Sequence, residues 1–409
     1  MALRLLQSSV LRNHSKYHNS SKSVLRANYH DYLRFATPGG AGRVPLYNPK
    51  IIGVASTRGN RSYQEDFFSY AALSLNPEEL QLTLKKAHHY DWDPSYLPPA
   101  LARQLLFVGI YDGHGGSTVS QFLRLELHGL FESAHKSQVP DVFAWAKEQD
   151  GYFRRFKGGA IAPWIHPEKP EAKRDLDLEA RATLTFFEVD KALQTESVAH
   201  ECGATASVVL LQSLDCPPPL VFSSEKVALT VAHVGDTRVL LTSTENGIVL
   251  PLTEKHHADA RVEAVRLRRM MGSGLITDSF GEARWMGALE NTRSLGDLKY
   301  KPLGVTPEPQ VKTLILDGPK HSHVTLVSDG VTSCVSDEEI SDLARGAHTP
   351  KDAAQKILSY AEEMGSQDNL TALVIPLAGW GKIQGDDRTK ELREYRREQM
   401  IGTERQRRM

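Results

Sequence analysis

The sequence predicts an α+β fold, and three observations support this prediction. Apolar segments typical of buried strands are mixed with amphipathic segments typical of helices, without the regular strand–helix–strand rhythm of a doubly wound parallel sheet. Two of the helical segments begin with capping signals. Hydrophobic residues make up 40% of the 409 residues, which is enough apolar material for one large domain or two ordinary ones.

The predicted strands are short apolar runs. In chain order they cover residues 51–56, 105–111, 204–211, 227–234, 323–327 and 370–375. A helix is predicted soon after residue 116, because apolar residues recur there on one helical face. Ser336 and Glu339 form a capping box at the start of a second helix, and Thr349 followed by Pro350 begins a third.

The first thirty residues differ in composition from the remainder. They contain five basic residues and six serines, and no acidic residue precedes Asp31. This pattern is typical of a mitochondrial transit peptide, so residues 1–45 are interpreted as a targeting or disordered segment. We therefore predict a mitochondrial protein, with the matrix as its compartment. A cytoplasmic protein with a disordered tail is the alternative.

The remaining chain is predicted to hold one folded domain and a tail. The domain covers 46–379, begins its folded part near Asn48, and carries insertions near 75–103 and 137–177. The tail, 380–409, is densely charged and is predicted to be a helix in solvent.

Composition also excludes several classes of protein. The formal net charge of -1 gives no indication of nucleic-acid binding. No apolar run approaches the 18 or so residues that a membrane helix requires. The three cysteines are too dispersed for a disulfide framework, and none precedes an arginine as a cysteine phosphatase requires. We expect a monomer without a membrane span or a nucleic-acid partner.

Several acidic residues lie at strand ends or beside glycine turns. They are Glu65, Asp66, Asp112 with Gly113, Asp236, Asp329 and Asp368. Singly, each is explained by an ordinary turn or cap. Together, several carboxylates around one rim would repel one another strongly unless cations were bound. Hard oxygen ligands of this kind suit Mg²⁺ or Mn²⁺, and no His/Cys pattern offers a zinc site.

Two further residues are candidates for the chemistry of phosphate hydrolysis. Two metals about 4 Å apart can bridge a water and lower its pKa. Arg61, four residues before Glu65, is a candidate for binding phosphate oxygens bidentately. His114, directly after Gly113, is a candidate general acid, with a structural turn histidine as the alternative. The pair His256 and His257 is interpreted as surface or loop residues.

Eight motifs in order resemble those of the metal-dependent type 2C protein phosphatases. They are Arg61 with Glu65-Asp66, Asp-Gly-His-Gly-Gly at 112–116, Gly-Ala-Thr-Ala at 203–206, Gly-Asp-Thr-Arg at 235–238, Leu252-Thr253 with His256, Arg-Ser-Leu-Gly-Asp at 293–297, Ser-Asp-Gly at 328–330 and Asp368-Asn369. The resemblance extends from about Ile51 to Ile375. One motif alone would be weak evidence for the family, whereas eight motifs in the family's order are specific to it.

The resemblance implies both a fold and a reaction. The fold is a four-layer α-β-β-α sandwich, in which two antiparallel sheets are flanked by helices and the metals lie at one edge. The reaction is hydrolysis of phosphoserine and phosphothreonine in proteins by a water that bridges two divalent cations, Mg²⁺ or Mn²⁺, without a phosphoenzyme intermediate.

The resemblance also implies roles for the candidate site residues. Those that hold the metal pair, directly or through water, are Asp66, Asp112, Asp329, Asp368, the Gly113 carbonyl and Glu65. Asp236 with Asp329 would help to hold a weaker third metal, and Arg61 would bind the substrate phosphate. The chain departs from many members at 331–334, where Val-Thr-Ser-Cys replaces a Trp-Asp pair. This change removes one nearby carboxylate and leaves the principal ligands in place.

Two other functions stay open at this point. A pseudophosphatase would keep the fold as a binding module, but such a protein should have lost a metal ligand, and none is missing here. A metal hydrolase of small phosphoesters is the other alternative, because the metal site alone does not distinguish a phosphoprotein from a small phosphate.

Overall fold

Two antiparallel β-sheets form the centre of the molecule, in a computed structural model that describes residues 29–271, 275–277, 283–285, 287 and 289–401. The strands are β1 Tyr32–Thr37, β2 Gly40–Pro45, β3 Gly53–Thr57, β4 Phe67–Ser74, β5 Gln104–His114, β6 Gly203–Ser213, β7 Lys226–Val234, β8 Arg238–Ser243, β9 Val249–Pro251, β10 Leu275–Thr277, β11 Ala283–Trp285, β12 Leu295–Gly296, β13 Gln310–Asp317, β14 His321–Val327 and β15 Leu370–Pro376. The first sheet has the order β13-β7-β6-β5-β4, with β12 added beside β6. The second has the order β3-β15-β14-β8-β9.

The side chains of successive strand residues point to opposite faces of each sheet. In β5, Leu106 and Val108 pack between the two sheets, whereas Phe107 and Tyr111 pack on the outer face of the first sheet. Both faces of this strand are therefore buried, which explains why the sequence reads as a continuous apolar run rather than as an alternating one.

Helices cover the outer faces of both sheets. Their bounds are α1 Pro77–His88, α2 Pro99–Ala102, α3 Thr118–Phe122, α4 His128–Ser133, α5 Val139–Glu148, α6 Leu178–Leu193, α7 Arg261–Met271, α8 Asp329–Thr332, α9 Asp337–Ala344, α10 Pro350–Glu363 and α11 Lys390–Ile401, with a π-helical turn at Leu123–Leu127 between α3 and α4. Phe131 of α4 and Phe186 of α6 pack on the first sheet, and Ile340 of α9 and Ile357 of α10 pack on the second. The predicted α+β sandwich of antiparallel sheets flanked by helices is confirmed.

Two predicted helix starts are also present. The Ser336 hydroxyl accepts a hydrogen bond from the backbone N–H of Glu339, whose carboxylate accepts one from the N–H of Ser336. Thr349 and Asp352 make the same reciprocal pair at the start of α10. Each cap satisfies backbone groups that the helix leaves free and contributes about 1 kcal/mol.

The predicted start of the folded part, near Asn48, is wrong. Strands β1 and β2 form an antiparallel hairpin from Tyr32 to Pro45, and Leu33 is buried in the core between the sheets. His30 makes a further bridge to Ala72 of β4. The hairpin was missed because its apolar residues are few, and residues 1–28, where the targeting pattern is concentrated, lie outside the described residues.

The two charged segments that were interpreted as an insertion and a tail both pack on the domain. Within 137–177, Trp145 and Phe153 form a small separate core with Phe187 of α6. In the tail, Arg396 of α11 forms an ion pair with the buried Glu339. The helix was predicted correctly, and most of its side chains are exposed as predicted, but Arg393 is buried and Arg396 contacts the domain. No helix of the described residues is long and apolar enough to cross a membrane.

Candidate active site

The predicted metal ligands lie at one edge of the two sheets. Asp66 directly precedes β4, and Asp112 lies near the end of β5, its antiparallel neighbour. In the second sheet, Asp329 follows β14 and Asp368 precedes β15, which pair in the same way. Because antiparallel pairing places the end of one strand beside the start of the next, residues that are far apart in sequence meet at this edge.

Three of these carboxylates form a close group. Oxygen atoms of Asp112, Asp236 and Asp329 all lie within 4.8 Å of one another. The backbone N–H of Asp329 donates to Oδ2 of Asp112 at 3.2 Å. Asp66 is buried beside them, where its Oδ2 accepts a hydrogen bond of 2.7 Å from the Ser328 hydroxyl. The edge therefore concentrates negative charge in a largely desolvated place.

Burial, together with the neighbouring charges, raises the pKa values of three of these side chains. Burial, followed by the charges of Asp329, Asp66 and Asp236, raises the pKa of Asp112 well above its usual range. Burial and the charge of Asp236 raise the pKa of Asp329 to about 7. Burial raises the pKa of Asp66 to about 6. A set of hard oxygen donors that resists ionisation without a counter-charge fits a divalent cation such as Mg²⁺ or Mn²⁺.

Asp236 has additional partners that the sequence did not reveal. Burial alone would raise its pKa, but hydrogen bonds from His257 Nε2 at 3.3 Å and Asn291 Nδ2 at 2.9 Å lower it to about 2. The predicted loop position of His256 and His257 is confirmed, but a surface position is wrong for His256. His256 is buried, and its Nδ1 accepts a hydrogen bond of 3.0 Å from the N–H of Gly235, next to Asp236.

Arg61 and Asp368 contact each other at the outer side of the group. Nη2 of Arg61 lies 2.6 Å from Oδ2 of Asp368, and the two side chains are 57% and 35% exposed. Asp368 is not part of the close group of three, although its charge contributes to the raised pKa of Asp329, for which burial is the main cause. The guanidinium that was predicted to bind phosphate thus lies beside a predicted metal ligand.

The backbone around Glu65 and Gly113 is held by side chains from other strands. The Glu65 N–H donates to Asn369 Oδ1 at 2.7 Å, and its carbonyl accepts a hydrogen bond of 2.6 Å from the Ser120 hydroxyl. A Cβ atom on Gly113 would lie 2.6 Å from both that carbonyl oxygen and the Ser120 hydroxyl oxygen, so a side chain does not fit there. Asn369 was recognised as part of a sequence motif, but its hydrogen bond to the Glu65 backbone was not predicted.

His114 also lies at this edge and is partly exposed. Its Nε2 is 2.8 Å from Oδ2 of Asp297, whose side chain is 1% exposed against 35% for the histidine. Burial would lower the pKa of His114, but the charge of Asp297 and the hydrogen bond to it outweigh this effect and raise the pKa above its usual value. Asp297 was recognised as part of a motif, but no role was predicted for it.

Comparisons with known proteins agree with the fold. The family profile described as Protein phosphatase 2C matches residues 79–370. Protein phosphatase 2C homolog 4 of Schizosaccharomyces pombe is 31% identical over 374 residues, which cover 89% of this chain and 91% of the relative. The mitochondrial Protein phosphatase 1K of Xenopus laevis is 28% identical, with 84% and 72% covered.

A solved structure shows the same fold. The crystal structure of serine-threonine phosphatase 2C from Toxoplasma gondii aligns with a TM-score of 0.51 and 17% identity, over 80% of this chain and 94% of the other. The profile match covers more than half of the chain and includes the segments of Asp112, Asp236, Asp329 and Asp368. The chain therefore belongs to the protein phosphatase 2C family and is a protein serine/threonine phosphatase.

Proposed function

We propose that this chain hydrolyses phosphoserine and phosphothreonine in proteins with the help of two divalent cations, Mg²⁺ or Mn²⁺. The observation that carries the proposal is the close group of Asp112, Asp236 and Asp329 carboxylates in a chain of this family. The protein would act as a monomer on a phosphoprotein.

The donor set supports an assignment of residues to the cations. Asp66, Asp112, Asp329 and Asp368 would hold the pair, directly or through water. The Gly113 carbonyl and Glu65 would complete it, and Asp236 with Asp329 would hold a weaker third cation. When bound, the cations supply a water of lowered pKa and positive charge against the phosphate. A water held beside these residues would attack phosphorus directly, without a phosphoenzyme.

The side chains that would contact the substrate are Arg61 and His114. Arg61 is more than half exposed, so its guanidinium can turn from Asp368 to the phosphate oxygens and bind two of them. The raised pKa of His114 favours the protonated form of its ring, which suits a group that donates a proton to the leaving alkoxide.

A comparison of two substrates tests this function. We expect Mn²⁺-dependent phosphate release from a phosphothreonine peptide, with a much lower kcat/KM for glycerol phosphate. Equal rates on both would favour the hydrolase of small phosphoesters. Absence of turnover on both, in a folded protein that binds Mn²⁺, would favour the pseudophosphatase.

We also propose a mitochondrial location and a division of the chain. The basic, acid-free first thirty residues support a targeting segment before the β1–β2 hairpin, with the phosphatase domain ending near residue 379 and the tail after it. The similarity to the Xenopus laevis protein, whose name describes it as mitochondrial, gives further support. A fluorescent reporter fused to residues 1–40 should enter mitochondria, and a diffuse cytosolic signal would contradict this location.

A further inference from the structure

We propose that Asp297 is a positioning residue that holds the imidazole of His114 through Nε2, so that Nδ1 is the nitrogen that donates the proton to the leaving group. This inference rests on the proposed role of His114. It assigns one atom to the proton transfer and a role to a motif residue that does not bind metal.

The hydrogen-bond geometry fixes which ring nitrogen is available. Nε2 of His114 is 2.8 Å from Asp297 Oδ2, and that oxygen also accepts a hydrogen bond of 2.6 Å from the Ser294 hydroxyl. Among the described residues, no hydrogen-bond partner contacts Nδ1. Because a carboxylate accepts and does not donate, Nε2 carries a hydrogen that is committed to Asp297. Only Nδ1 is left to face a substrate.

Asp297 is itself held rigidly. Its backbone has φ +52°, in the left-handed region where aspartate is one of the better tolerated residues, and its N–H donates to the Cys202 carbonyl at 3.0 Å. Behind it, Lys301 Nζ donates to the Ser294 carbonyl at 2.6 Å and forms an ion pair of 2.8 Å with Asp190. Both members of this pair are buried, so the turn from Ser294 to Asp297 has little freedom to move.

The opposite strand leaves room for the pair of side chains. Gly203 begins β6, and a Cβ there would lie 2.2 Å from Asp297 Oδ2 and 2.6 Å from His114 Nε2. Any side chain at this position would push the carboxylate and the ring apart. The glycine of the Gly-Ala-Thr-Ala motif is therefore explained by the contact between His114 and Asp297.

The proton balance of the proposed step is simple. As the bond between phosphorus and the seryl or threonyl oxygen breaks, the Nδ1–H of the cationic imidazole passes its proton to that oxygen. The product hydroxyl keeps this proton, and His114 becomes neutral with its remaining proton on Nε2, hydrogen-bonded to Asp297. Fixing the ring and its tautomer through a buried carboxylate is how other acid–base histidines are oriented.

The kinetic test uses two substrates that differ in their need for a proton. A phosphothreonine peptide releases a strongly basic alkoxide, whereas p-nitrophenyl phosphate releases a stable anion. For Asp297→Asn we expect kcat on the peptide to fall about 10- to 100-fold with KM little changed, and kcat on p-nitrophenyl phosphate to fall less than about threefold. Ser294→Ala should show the same selectivity with a smaller loss.

A matched variant separates positioning from general damage to the fold. Ser224→Ala also removes the hydroxyl of a fully buried serine, one that donates to the Leu220 carbonyl at the far end of β7. We expect Ser224→Ala to change kcat on the peptide and kcat on p-nitrophenyl phosphate by the same small factor. Equal losses on both substrates in Asp297→Asn and Ser294→Ala would overturn the proposal.

His114→Ala distinguishes failure of this inference from failure of the proposed function. If His114→Ala is selective for the peptide and Asp297→Asn is not, the positioning role is wrong and the proton donor stands. If His114→Ala affects both substrates equally, the proposed proton donor is wrong, and the inference falls with it.

A spectroscopic measurement tests the tautomer without activity. Long-range ¹H–¹⁵N spectra of the metal-free protein, with the His114 signals assigned by comparison with His114→Ala, report which nitrogen carries the proton in the neutral ring. We expect the proton on Nε2 in the wild type and on a mixture of both nitrogens in Asp297→Asn. A wild-type ring protonated on Nδ1 would overturn the proposal, and this measurement needs no variant of Asp297 to fold.

Discussion

Two groups of carboxylates in this protein have opposite surroundings. Glu263, which is 1% exposed, accepts hydrogen bonds of 2.7 Å from Arg266 and 2.6 Å from Arg293. Burial would raise its pKa, but the two arginines lower it to about 2. Asp112 and Asp329 are half-buried and face other aspartates, and their pKa values are raised.

The difference separates a structural carboxylate from the proposed metal ligands. The charge of Glu263 is compensated inside the chain, so it stabilises the packing of α7 against the strand-end segment that carries Arg293. Among the described residues, neither Asp112 nor Asp329 forms an ion pair with a basic side chain, so protons or cations have to compensate these charges.

Removal of the cations should have the largest effect on activity. We expect excess EDTA to abolish phosphate release from a phosphothreonine peptide. Mg²⁺ or Mn²⁺ should restore it, and Ca²⁺ should do so poorly because it prefers larger and looser coordination. Full activity in excess chelator would contradict the assignment of the aspartates as ligands.

Loss of one proposed metal ligand should have the second-largest effect on activity. We expect Asp329→Ala to lower kcat/KM at least about 100-fold, because changes to residues that only support metal ligands already cost about 10- to 100-fold. Asp317→Ala, which removes an exposed aspartate that pairs with Lys320, is the control and should be close to wild type. Wild-type turnover of a folded Asp329→Ala protein would show that this residue is not a ligand.

The two groups should respond in opposite directions to neutralisation. Glu263→Gln leaves two arginines without their carboxylate, and we expect it to lower the free energy of unfolding by about 3–5 kcal/mol. Asp329→Asn relieves repulsion and should raise the stability of the metal-free protein. Urea unfolding in EDTA measures both. A higher free energy of unfolding in Glu263→Gln, or a much lower one in Asp329→Asn, would contradict the contrast between the two groups.

The pH dependence of stability should be the smallest effect. The folded-state pKa values of Asp66 and Asp329, about 6 and about 7, lie above the unfolded value of about 3.9, so their stabilising contribution is present below about pH 4 and is lost as pH rises through 6 and 7. The metal-free protein should therefore be less stable at about pH 8 than at about pH 5. For Glu263, with a pKa of about 2, the contribution is present above the unfolded value of about 4.3 and is lost as pH falls through 2.

Urea midpoints across this pH range, with and without Mg²⁺, measure the effect. Bound cations replace the protons, so saturating Mg²⁺ should flatten the loss between pH 5 and 8, and Asp329→Asn should reduce it. A metal-free protein that becomes more stable over this range would contradict the raised pKa values.

The sequence predicted those parts of the molecule that depend on local signals. Neighbouring residues in the sequence were enough to predict the apolar strands, the capping boxes at Ser336 and Thr349 and the aspartates at strand ends. Antiparallel pairing of the strands then brings these aspartates to one edge. The β1–β2 hairpin was missed because few of its residues are apolar. Its burial depends on β4 and on the core between the sheets.

The roles of supporting residues could not be predicted, because they arise from contacts between distant segments. His114 and Asp297 are 183 positions apart in the sequence. His257, which follows β9, contacts Asp236 in the turn after β7. Residue type gives no indication of such pairs. Asp297 belongs to the motif at 293–297, but only the folded structure shows that its partner is His114.

Anomalous diffraction from crystals soaked in Mn²⁺ will show whether these aspartates converge in order to bind divalent cations. We expect two peaks about 4 Å apart at the edge where Asp66, Asp112, Asp329 and Asp368 meet, and their disappearance in Asp329→Ala crystals. Saturated crystals with no peak at this edge, or with Mn²⁺ bound only elsewhere, would contradict this expectation.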